Sequence, residues 1–388
     1  MVTEKRKICI ITGTRAEYGL LKPLIKLFYN SEKFELQLVP SCMHLSPEFG
    51  LTIEEIKKDG YPISRTVDML LSSNNSVGIT KSFGLGAIGF ADVFNDLEPD
   101  IIILLGDRFE ALAASVAALF ANIPLAHIHG GEITRGCFDD NIRHSITKMS
   151  QLHFVASSEY AKRVVQLGET PQKVFNVGGL GVDLIKNTKF LSKKSLESSL
   201  KFKFLKKNIL ITFHPVTLES DCKNQFQELI KSLSKLKNIG MIFTMPNADK
   251  NSKEIDQIIN SFCNNKNNAK YFKSLGTLRY LSCMKIVDGI VGNSSSGLLE
   301  APSFKIGTIN IGNRQEGRLK SKSVIDTIPD EKLIDIAFKK LFSSEFKINL
   351  ENVVNPYGKG GACKKIFEII SKVDLESITK KEFYDLYS

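Results

Sequence analysis

Short apolar runs alternate with segments of helical periodicity along most of this 388-residue chain. In the first half, nearly continuous apolar runs, typical of buried strands, lie at 8–12, 36–40, 100–105, 123–128 and 152–156. Between them, amphipathic or alanine-rich patterns predict helices at 18–28, 90–97, 110–121 and 141–151. Continuous apolar strands that alternate with helices indicate a parallel sheet covered on both faces.

A second set of strands and helices follows a polar, lysine-rich stretch at 186–208. Strands are predicted at 208–213, 240–244, 286–291 and 306–311, and helices at 224–236, 252–263, 329–341 and 362–370. We therefore predict an α/β protein of two Rossmann-like, doubly wound domains that face a cleft. The junction is expected near the glycine-rich run at 178–181, which we expect to act as a hinge.

Composition narrows the class of protein. The formal net charge is +10, but most basic residues are lysines in surface-like segments, and no nucleic-acid-binding motif is present. We therefore expect no nucleic-acid partner, although the excess charge would attract anionic substrates. Seven cysteines without a C-x-x-C pair are typical of reduced thiols in a cytoplasmic protein. No long uninterrupted apolar run and no signal-peptide pattern are present, so no membrane partner is expected.

Charged and hydroxyl residues follow several of the predicted strands, at the point where each strand ends. Ligands of doubly wound sheets bind beyond the carboxyl ends of the strands, so these positions are candidates for a functional site. They comprise Arg15, Asp107, Arg108, His129, Glu132, His214, Ser294, Ser295 and Ser296.

The run from Gly292 to Gly297 is a candidate phosphate site, because its small residues and hydroxyls are predicted to open a helix. Free N–H groups and the dipole at a helix start bind phosphate. Glu300, about one turn later, is placed to reach a ribose hydroxyl pair. The alternative is an ordinary Gly/Ser loop with a helix cap. Further candidates for ligand contacts are Arg15, Arg318 and Asn247.

Carboxylates and histidines of the first half form a second candidate group, which comprises Asp107, His129, Glu132, Asp139 and Asp140. Carboxylates crowded into one cleft shift their pKa values apart, which creates an acid and a base near neutral pH. The plainer alternative is that the aspartates cap the helices that follow them, with Arg143 and His144 as surface neighbours.

Two kinds of cofactor site are disfavoured by the motifs. His127 and His129 would point to the same side of a strand, but the chain turns after them and no H-E-x-x-H motif is present, so no metal is expected. The loop around Arg15 matches neither G-x-G-x-x-G nor a Walker loop, so no cofactor is expected.

His214, as an imidazolium opposite the phosphate loop, would stabilise a departing diphosphate.

Six motifs resemble those of the hydrolysing UDP-N-acetylglucosamine 2-epimerases of sialic and nonulosonic acid biosynthesis. In this chain they read G-T-R-A-E-Y at 13–18, L-G-D-R-F-E-A-L at 105–112, H-I-H-G-G-E at 127–132, D-D-N-I-R-H at 139–144, F-H-P at 213–215 and G-N-S-S-S-G at 292–297. The resemblance extends from about residue 7 to about residue 364, with the motifs in order in both halves.

The resemblance implies a glycosyltransferase B-type fold: a first domain at 1–182, a nucleotide-binding domain at 183–365, and a final segment at 366–388 that returns to the first domain. It implies a metal-independent reaction in which UDP-N-acetylglucosamine and water give N-acetylmannosamine and UDP, by elimination through a 2-acetamidoglucal and hydration. Proton transfer and leaving-group support would fall to Asp107, Asp139, Asp140 and His214. Nucleotide contacts would fall to Arg15, Arg108, Ser294, Ser295, Ser296, Gly297, Glu300 and Arg318. A homodimer or homotetramer is also suggested.

One departure from the family pattern leaves the base open. Several members carry glutamate where this chain has His129, so His129, Glu132 and Asp139 all remain candidates for removal of the C2 proton. The substrate is open as well: UDP-N,N'-diacetylbacillosamine or GDP-N-acetylglucosamine would suit the same chemistry. A non-hydrolysing epimerase, a retaining glycosyltransferase and a nucleotide-sugar-binding regulator are the other readings. The dense carboxylates argue against a regulator, since binding gains little from acids beside a diphosphate.

Overall fold

The computed structural model of the chain describes residues 5–71, 75–134, 138–214, 222–244, 252–376 and 378–386. It consists of two compact units. The first comprises Met1–Glu132, Phe138–Leu184 and Gly360–Ser388, and the second comprises Ile133–Cys137 and Ile185–Lys359.

Six parallel strands form the sheet of the first unit, in the order β2-β1-β3-β4-β5-β6. The strands are β1 (Arg6–Thr12), β2 (Phe34–Pro40), β3 (Ile101–Leu105), β4 (Leu125–Ile128), β5 (Leu152–Val155) and β6 (Val174–Asn176). Every residue of β3, β4 and β5 is buried, which explains why these strands were legible as continuous apolar runs. The short, more polar β6 was not predicted.

Helices cover both faces of this first sheet. They are α1 (Arg15–Tyr29), α2 (Ile53–Lys58), α3 (Ser76–Leu97), α4 (Phe109–Phe120), α5 (Asp139–Met149), α6 (Ser158–Gln166) and α7 (Leu180–Asn187). Successive residues of β1 point to opposite faces, so Ile8 and Ile10 pack with α1 while Cys9 and Ile11 pack with α3 and α4.

Helix α3 begins at Ser76, so the prediction that it spans only 90–97 was wrong about its start. Glycines at 84, 86 and 89 lower the helix propensity of this segment. Close packing explains two of them: a Cβ at Gly86 would lie 2.4 Å from Met69 Cε, and one at Gly89 would lie 2.8 Å from Val67 Cγ1, whereas a Cβ at Gly84 would meet open space. Within the described ranges, α3 is the one helix long and apolar enough to cross a membrane. A single such helix is weak evidence for a membrane span.

Six parallel strands also form the sheet of the second unit, in the order β12-β11-β10-β7-β8-β9. They are β7 (Lys207–Thr212), β8 (Ile239–Thr244), β9 (Ala269–Phe272), β10 (Gly289–Gly292), β11 (Gly307–Ile311) and β12 (Val324–Thr327). The helices are α8 (Lys193–Leu200), α9 (Cys222–Lys235), α10 (Ser252–Asn264), α11 (Gly276–Met284), α12 (Ser296–Leu299), α13 (Glu331–Leu341) and α14 (Ser344–Glu351). The predicted α/β fold of two doubly wound domains is confirmed.

The last helix, α15 (Ala362–Lys372), belongs to the first unit, where it packs against α1. The Asp183 carboxylate accepts hydrogen bonds from the backbone N–H groups of Ala362 and Cys363, at 3.1 and 2.6 Å, and so caps its start. Beyond α15, the partly buried side chain of Lys381 reaches the C-terminal end of α5. Its ammonium donates to the carbonyls of Lys148 and Ser150, both at 2.7 Å, and pairs with Glu169 at 2.6 Å.

Candidate active site

The turn after β3 places Asp107 at the carboxyl edge of the first sheet. Gly106 has a φ of 82°, and its N–H donates to Ile128 O at 3.1 Å, so the chain leaves the sheet through a fixed turn. Helix α4 starts after Arg108, which makes no side-chain cap. Asp107 therefore does not cap this helix: its carboxylate pairs with the Arg143 guanidinium.

Arg143 is the centre of the acidic group. Its side chain is only 1% exposed, and it pairs with Asp107 and Asp140 while donating to Glu132 O at 2.8 Å. The carboxylates remain about a quarter exposed, Asp107 at 27% and Asp140 at 24%. The alternative in which Arg143 is a surface neighbour is wrong, because its guanidinium is buried against Asp107, in the turn after β3. A buried guanidinium so held fixes the direction of both aspartates.

Asp139 and Asp140 are the first two residues of α5, and the cap position before them belongs to Phe138, which makes no side-chain cap. Burial, followed by the nearby charge of Asp107, raises the pKa of Asp139. Asp107 and Asp140 thus pair with an arginine, whereas Asp139 sits beside them with a raised affinity for a proton. Such unlike carboxyl groups are suited to act as an acid and a base.

His129 holds a left-handed backbone conformation, with a φ of 67°, at the end of β4. Its Nδ1 lies 3.2 Å from Glu132 Oε1, and its Nε2 accepts the Leu180 N–H at 3.2 Å. Both ring nitrogens are therefore engaged inside the first unit. This arrangement ties the turn that carries Glu132 to the start of α7.

His127 is fully buried beneath the same turn. Its ring nitrogens lie 2.7 Å from Gly106 O and 3.1 Å from Thr147 Oγ1, and burial lowers its pKa to about 3. A neutral ring with one N–H donates to the Gly106 carbonyl and accepts from the threonine hydroxyl. Within the described residues, no three His, Cys, Asp or Glu side chains form a group that could hold a metal ion.

The arginines after β1 and β3 are each engaged with glutamates. Arg15 lies 3.0 Å from Glu55, and is 43% exposed, whereas Glu17 turns back to accept from the Gly13 and Thr14 N–H groups. Arg108 Nε lies 2.5 Å from the buried carboxylate of Glu110. Both guanidiniums stay partly exposed and can still meet an anion.

The serine loop, defined here as residues 292–297, follows β10 in the second unit. Gly292 has a φ of 131°, and a Cβ there would lie 2.0 Å from Thr212 O, so only glycine fits. A Cβ on Gly297 would lie 2.5 Å from Thr308 Cγ2. Close approach of backbone to β7 and β11 therefore explains both glycines.

Helix α12 contains only four residues, so the serine loop opens a single helical turn rather than a long helix with a strong dipole. The N–H groups of Gly297 and Leu298 are already donated to Ser294 O and Ser295 O. In the described part of the chain, the N–H groups of Ser294, Ser295 and Ser296 donate to no acceptor. These three consecutive N–H groups, with their hydroxyls, suit an anion in the manner of a backbone nest.

Asn293 fixes His214 beside the serine loop. Its Oδ1 accepts the His214 N–H at 2.6 Å, and its Nδ2 donates to His214 O at 2.8 Å. The Asn293 carbonyl in turn accepts from Arg314 at 3.0 Å. Burial, and secondarily the charge of Arg314, lowers the pKa of His214 to about 3, so its ring is neutral in the free protein. A diphosphate placed beside it would raise that pKa.

The remaining candidates of the second unit are Glu300, Arg318 and Asn247. Glu300 is the C-cap residue of α12, and the Arg318 guanidinium donates to Thr134 Oγ1 at 3.3 Å. Asn247 lies outside the described residues. Tyr280, on α11, was missed by sequence reasoning, although its hydroxyl lies 2.5 Å from Ser296 Oγ.

Two parallel, Rossmann-like six-stranded units define a glycosyltransferase B-type α/β protein. A solved structure of this fold, UDP-GlcNAc 2-epimerase from Neisseria meningitidis bound to UDP-GlcNAc, aligns with a TM-score of 0.80 at 20% identity, over 95% of this chain and all of that chain. The profile of the UDP-N-acetylglucosamine 2-epimerase family matches residues 27–371.

Three curated relatives extend the match to nearly the full chain. A Campylobacter jejuni protein named GDP/UDP-N,N'-diacetylbacillosamine 2-epimerase (hydrolyzing) is 46% identical over 98% of this chain and 100% of its own length. The Escherichia coli polysialic acid biosynthesis protein P7 is 39% identical, over 98% of both chains. A Legionella pneumophila protein named UDP-N,N'-diacetylbacillosamine 2-epimerase (hydrolyzing) is 34% identical, over 96% of this chain and 97% of that protein. The chain belongs to the UDP-N-acetylglucosamine 2-epimerase family, and the resemblance found in its motifs is confirmed.

Proposed function

We propose that this chain is a hydrolysing 2-epimerase, which converts a UDP-linked 2-acetamido sugar and water to UDP and the free 2-epimeric sugar. The observation that carries the proposal is the group of Asp107, Asp139 and Asp140 around the buried Arg143, in a chain similar over nearly its full length to two proteins named as hydrolysing 2-epimerases. The acidic group provides unlike carboxyls for proton transfer, and the serine loop provides donors for a diphosphate.

The reaction balances in two steps. A base removes the proton from C2 while the bond between C1 and the UDP oxygen breaks, which leaves a C1=C2 double bond in a 2-acetamidoglucal. Water then adds, with its oxygen to C1 and a proton to C2 on the opposite face. UDP leaves with the electron pair of the broken bond, so no oxidant, reductant or metal is required.

We assign the roles as follows. Asp139 exchanges the C2 proton, because its raised pKa matches an acid–base group better than the ring of His129, whose two nitrogens are engaged. The serine loop and His214 receive the diphosphate, whose charge grows as the C1–O bond breaks. Arg15, Arg108, Glu300 and Arg318 are proposed to contact the rest of the nucleotide.

The two groups lie in different units, and the proposal requires that one nucleotide sugar contact both. The acidic group would act at C1 and C2, and the serine loop would hold the diphosphate. This division predicts that damage to the first unit's acids spares UDP binding.

The substrate we favour is UDP-N,N'-diacetylbacillosamine, since two of the relatives carry this sugar in their names. UDP-N-acetylglucosamine, which gives the family its name, is the second candidate and would serve sialic acid biosynthesis. A GDP-linked sugar is the third, because one relative is named for both nucleotides. Turnover of the three nucleotide sugars by the purified chain, compared as kcat/KM, ranks them. Release of neither UDP nor GDP from any of them would exclude the proposed reaction.

The form of the product separates the other readings. Proton NMR should show a free 2-epimeric sugar together with UDP. A UDP-linked mannosamine-type sugar would instead favour a non-hydrolysing epimerase, and a requirement for an acceptor would favour a glycosyltransferase. Nucleotide-sugar binding without any turnover would favour a regulator.

Asp107→Asn tests whether the acids of the first unit serve catalysis and are not needed for UDP binding. We expect this variant to bind UDP with wild-type affinity and to lose turnover by about 10²–10⁴-fold. Asp68→Asn, at an exposed position of the same unit, is the matched control and should retain full activity. An Asp107→Asn enzyme with the wild-type rate would remove Asp107 from the mechanism.

We also propose a cytoplasmic homo-oligomer. Five described cysteines are free thiols, which suits a reducing compartment. Helices α3 and α4 pack together and leave large apolar side chains exposed, among them Ile88 at 66% and Phe120 at 85%. A second copy of the chain would cover such a face. Sedimentation velocity at micromolar concentration should show a dimer or tetramer, and a monomer would contradict this proposal.

A further inference from the structure

A chain of hydroxyl groups lies behind the serine loop, and no role has been given to its central member, Tyr280. The Tyr280 hydroxyl lies 2.5 Å from Ser296 Oγ, which itself lies 3.2 Å from Ser294 Oγ. On the sheet side, Thr212 Oγ1 lies 2.5 Å from Thr244 Oγ1, and the Thr212 hydroxyl is a hydrogen-bonding neighbour of Tyr280. The chain therefore leads from the ends of β7 and β8 to the loop.

The direction of the protons along this chain matters for an anion. A hydroxyl has one proton to donate and two lone pairs to accept. Either oxygen of each contact can be the donor; because a phenol is a stronger acid than an alcohol, we assign Tyr280 as the donor to Ser296 and Ser296 as the donor to Ser294. The Ser294 proton is left over. It has no acceptor among the described residues, and Ser294 is half-buried at the mouth of the loop.

Tyr280 stays a neutral donor at every physiological pH. Burial raises its pKa to about 12, and the nearby charge of Glu300 acts in the same direction. Hydrogen bonds in a chain polarise one another, so a fixed phenol at the inner end strengthens the donor at the outer end. In this arrangement Tyr280 acts through Ser296 and does not need to touch the ligand.

We propose that Tyr280 is a positioning residue of the diphosphate subsite, which orients the Ser296 and Ser294 hydroxyls so that the Ser294 proton points at a phosphate oxygen. This inference rests on the proposed function, in which the serine loop binds a nucleoside diphosphate. It predicts that the effect of the phenol oxygen is confined to the phosphate-bearing part of the ligand.

Tyr280→Phe deletes only the oxygen and keeps the ring that fills the site. The loss of one oriented donor to an anion should weaken UDP binding by about 5- to 20-fold. Uridine, which lacks phosphate, should compete with the same affinity for the wild type and the variant. Isothermal titration with UDP, and NMR competition with uridine, give the two affinities.

Tyr271→Phe is the matched control, since Tyr271 is another tyrosine of the second unit and its hydroxyl pairs with Asp256. This variant should bind UDP as the wild type does. A second test uses Ser296→Ala as background: if Tyr280 acts through Ser296, adding Tyr280→Phe to Ser296→Ala should cost less than twofold more.

The outcomes separate the inference from the function on which it rests. Wild-type protein that binds UDP, with Tyr280→Phe within twofold of it, would overturn the positioning role and leave the proposed function intact. Equal losses for UDP and uridine would show a packing role instead and also overturn it. Wild-type protein that binds no UDP would overturn both.

Discussion

Replacement of Arg143 by methionine should lower the free energy of unfolding of the first unit. It should also lower turnover, because the aspartates lose the side chain that orients them. The side chain is 1% exposed, and its guanidinium forms ion pairs with Asp107 and Asp140. It also donates a hydrogen bond to the carbonyl of Glu132. Removal of one partner of a buried ion pair costs about 3–5 kcal/mol, and because both carboxylates are about a quarter exposed, we expect a somewhat smaller loss of about 2–4 kcal/mol. For a unit of this size, that corresponds to a fall in Tm of roughly 5–15 °C.

Scanning calorimetry of the wild type and the variant under identical conditions measures this shift in Tm. Turnover should fall by about 10²-fold or more even below the transition, since Asp107 loses its fixed direction. Arg65→Met is the matched control: Arg65 pairs with Asp96 at 3.4 Å, both half-exposed, so its loss should cost about 0–1 kcal/mol. An Arg143→Met protein within 2 °C of wild type would refute the reasoning.

Three further predictions concern groups with perturbed environments. Because the folded pKa of Asp139 is raised, its ionised form destabilises the fold, so Asp139→Asn should be more stable than wild type at pH 7, with the difference vanishing below about pH 4 in denaturant titrations. The pKa of His214 in the folded protein is lowered to about 3, so the wild type should lose stability as the pH falls below about 6.5. The His214→Gln variant should lose less stability over the same range. Equal acid sensitivity of the two proteins would contradict a buried, neutral His214. Lys381→Met should cost about 2–4 kcal/mol, whereas Lys380→Met, at the exposed neighbouring position, should cost almost nothing by the same melts.

The sequence predicted the strands well where burial on both faces makes them continuously apolar. For this reason, the predicted bounds of β3, β4, β7 and β8 agree with the structure to within about two residues. A continuous apolar run can be recognised in the local sequence without knowing which strands pair with it. Elements at the sheet edges, such as β6 and β12, are shorter and more polar, and they were missed. The predicted helix α3 was too short because its glycines lower helix propensity, whereas Gly86 and Gly89 allow close packing against Met69 and Val67.

The candidate site was proposed from the sequence as a set of strand-end residues, but the contacts among them were not predicted. Asp107 and Arg143 are 36 residues apart, and nothing local in α5 indicates that the arginine is buried. The same holds for Tyr280, whose helix precedes the serine loop by a full strand. Sequence reasoning identifies a side chain's chemistry and its place on an element, whereas ion pairs between elements depend on the tertiary packing.

The most direct test of the proposed reaction is the fate of the C2 hydrogen in deuterated water. UDP-N,N'-diacetylbacillosamine and UDP-N-acetylglucosamine are each incubated with the purified chain, and the products are followed by proton NMR. We predict release of UDP and of a free 2-epimeric sugar that carries deuterium at C2. A released sugar that keeps its original configuration and its C2 proton would contradict the elimination mechanism.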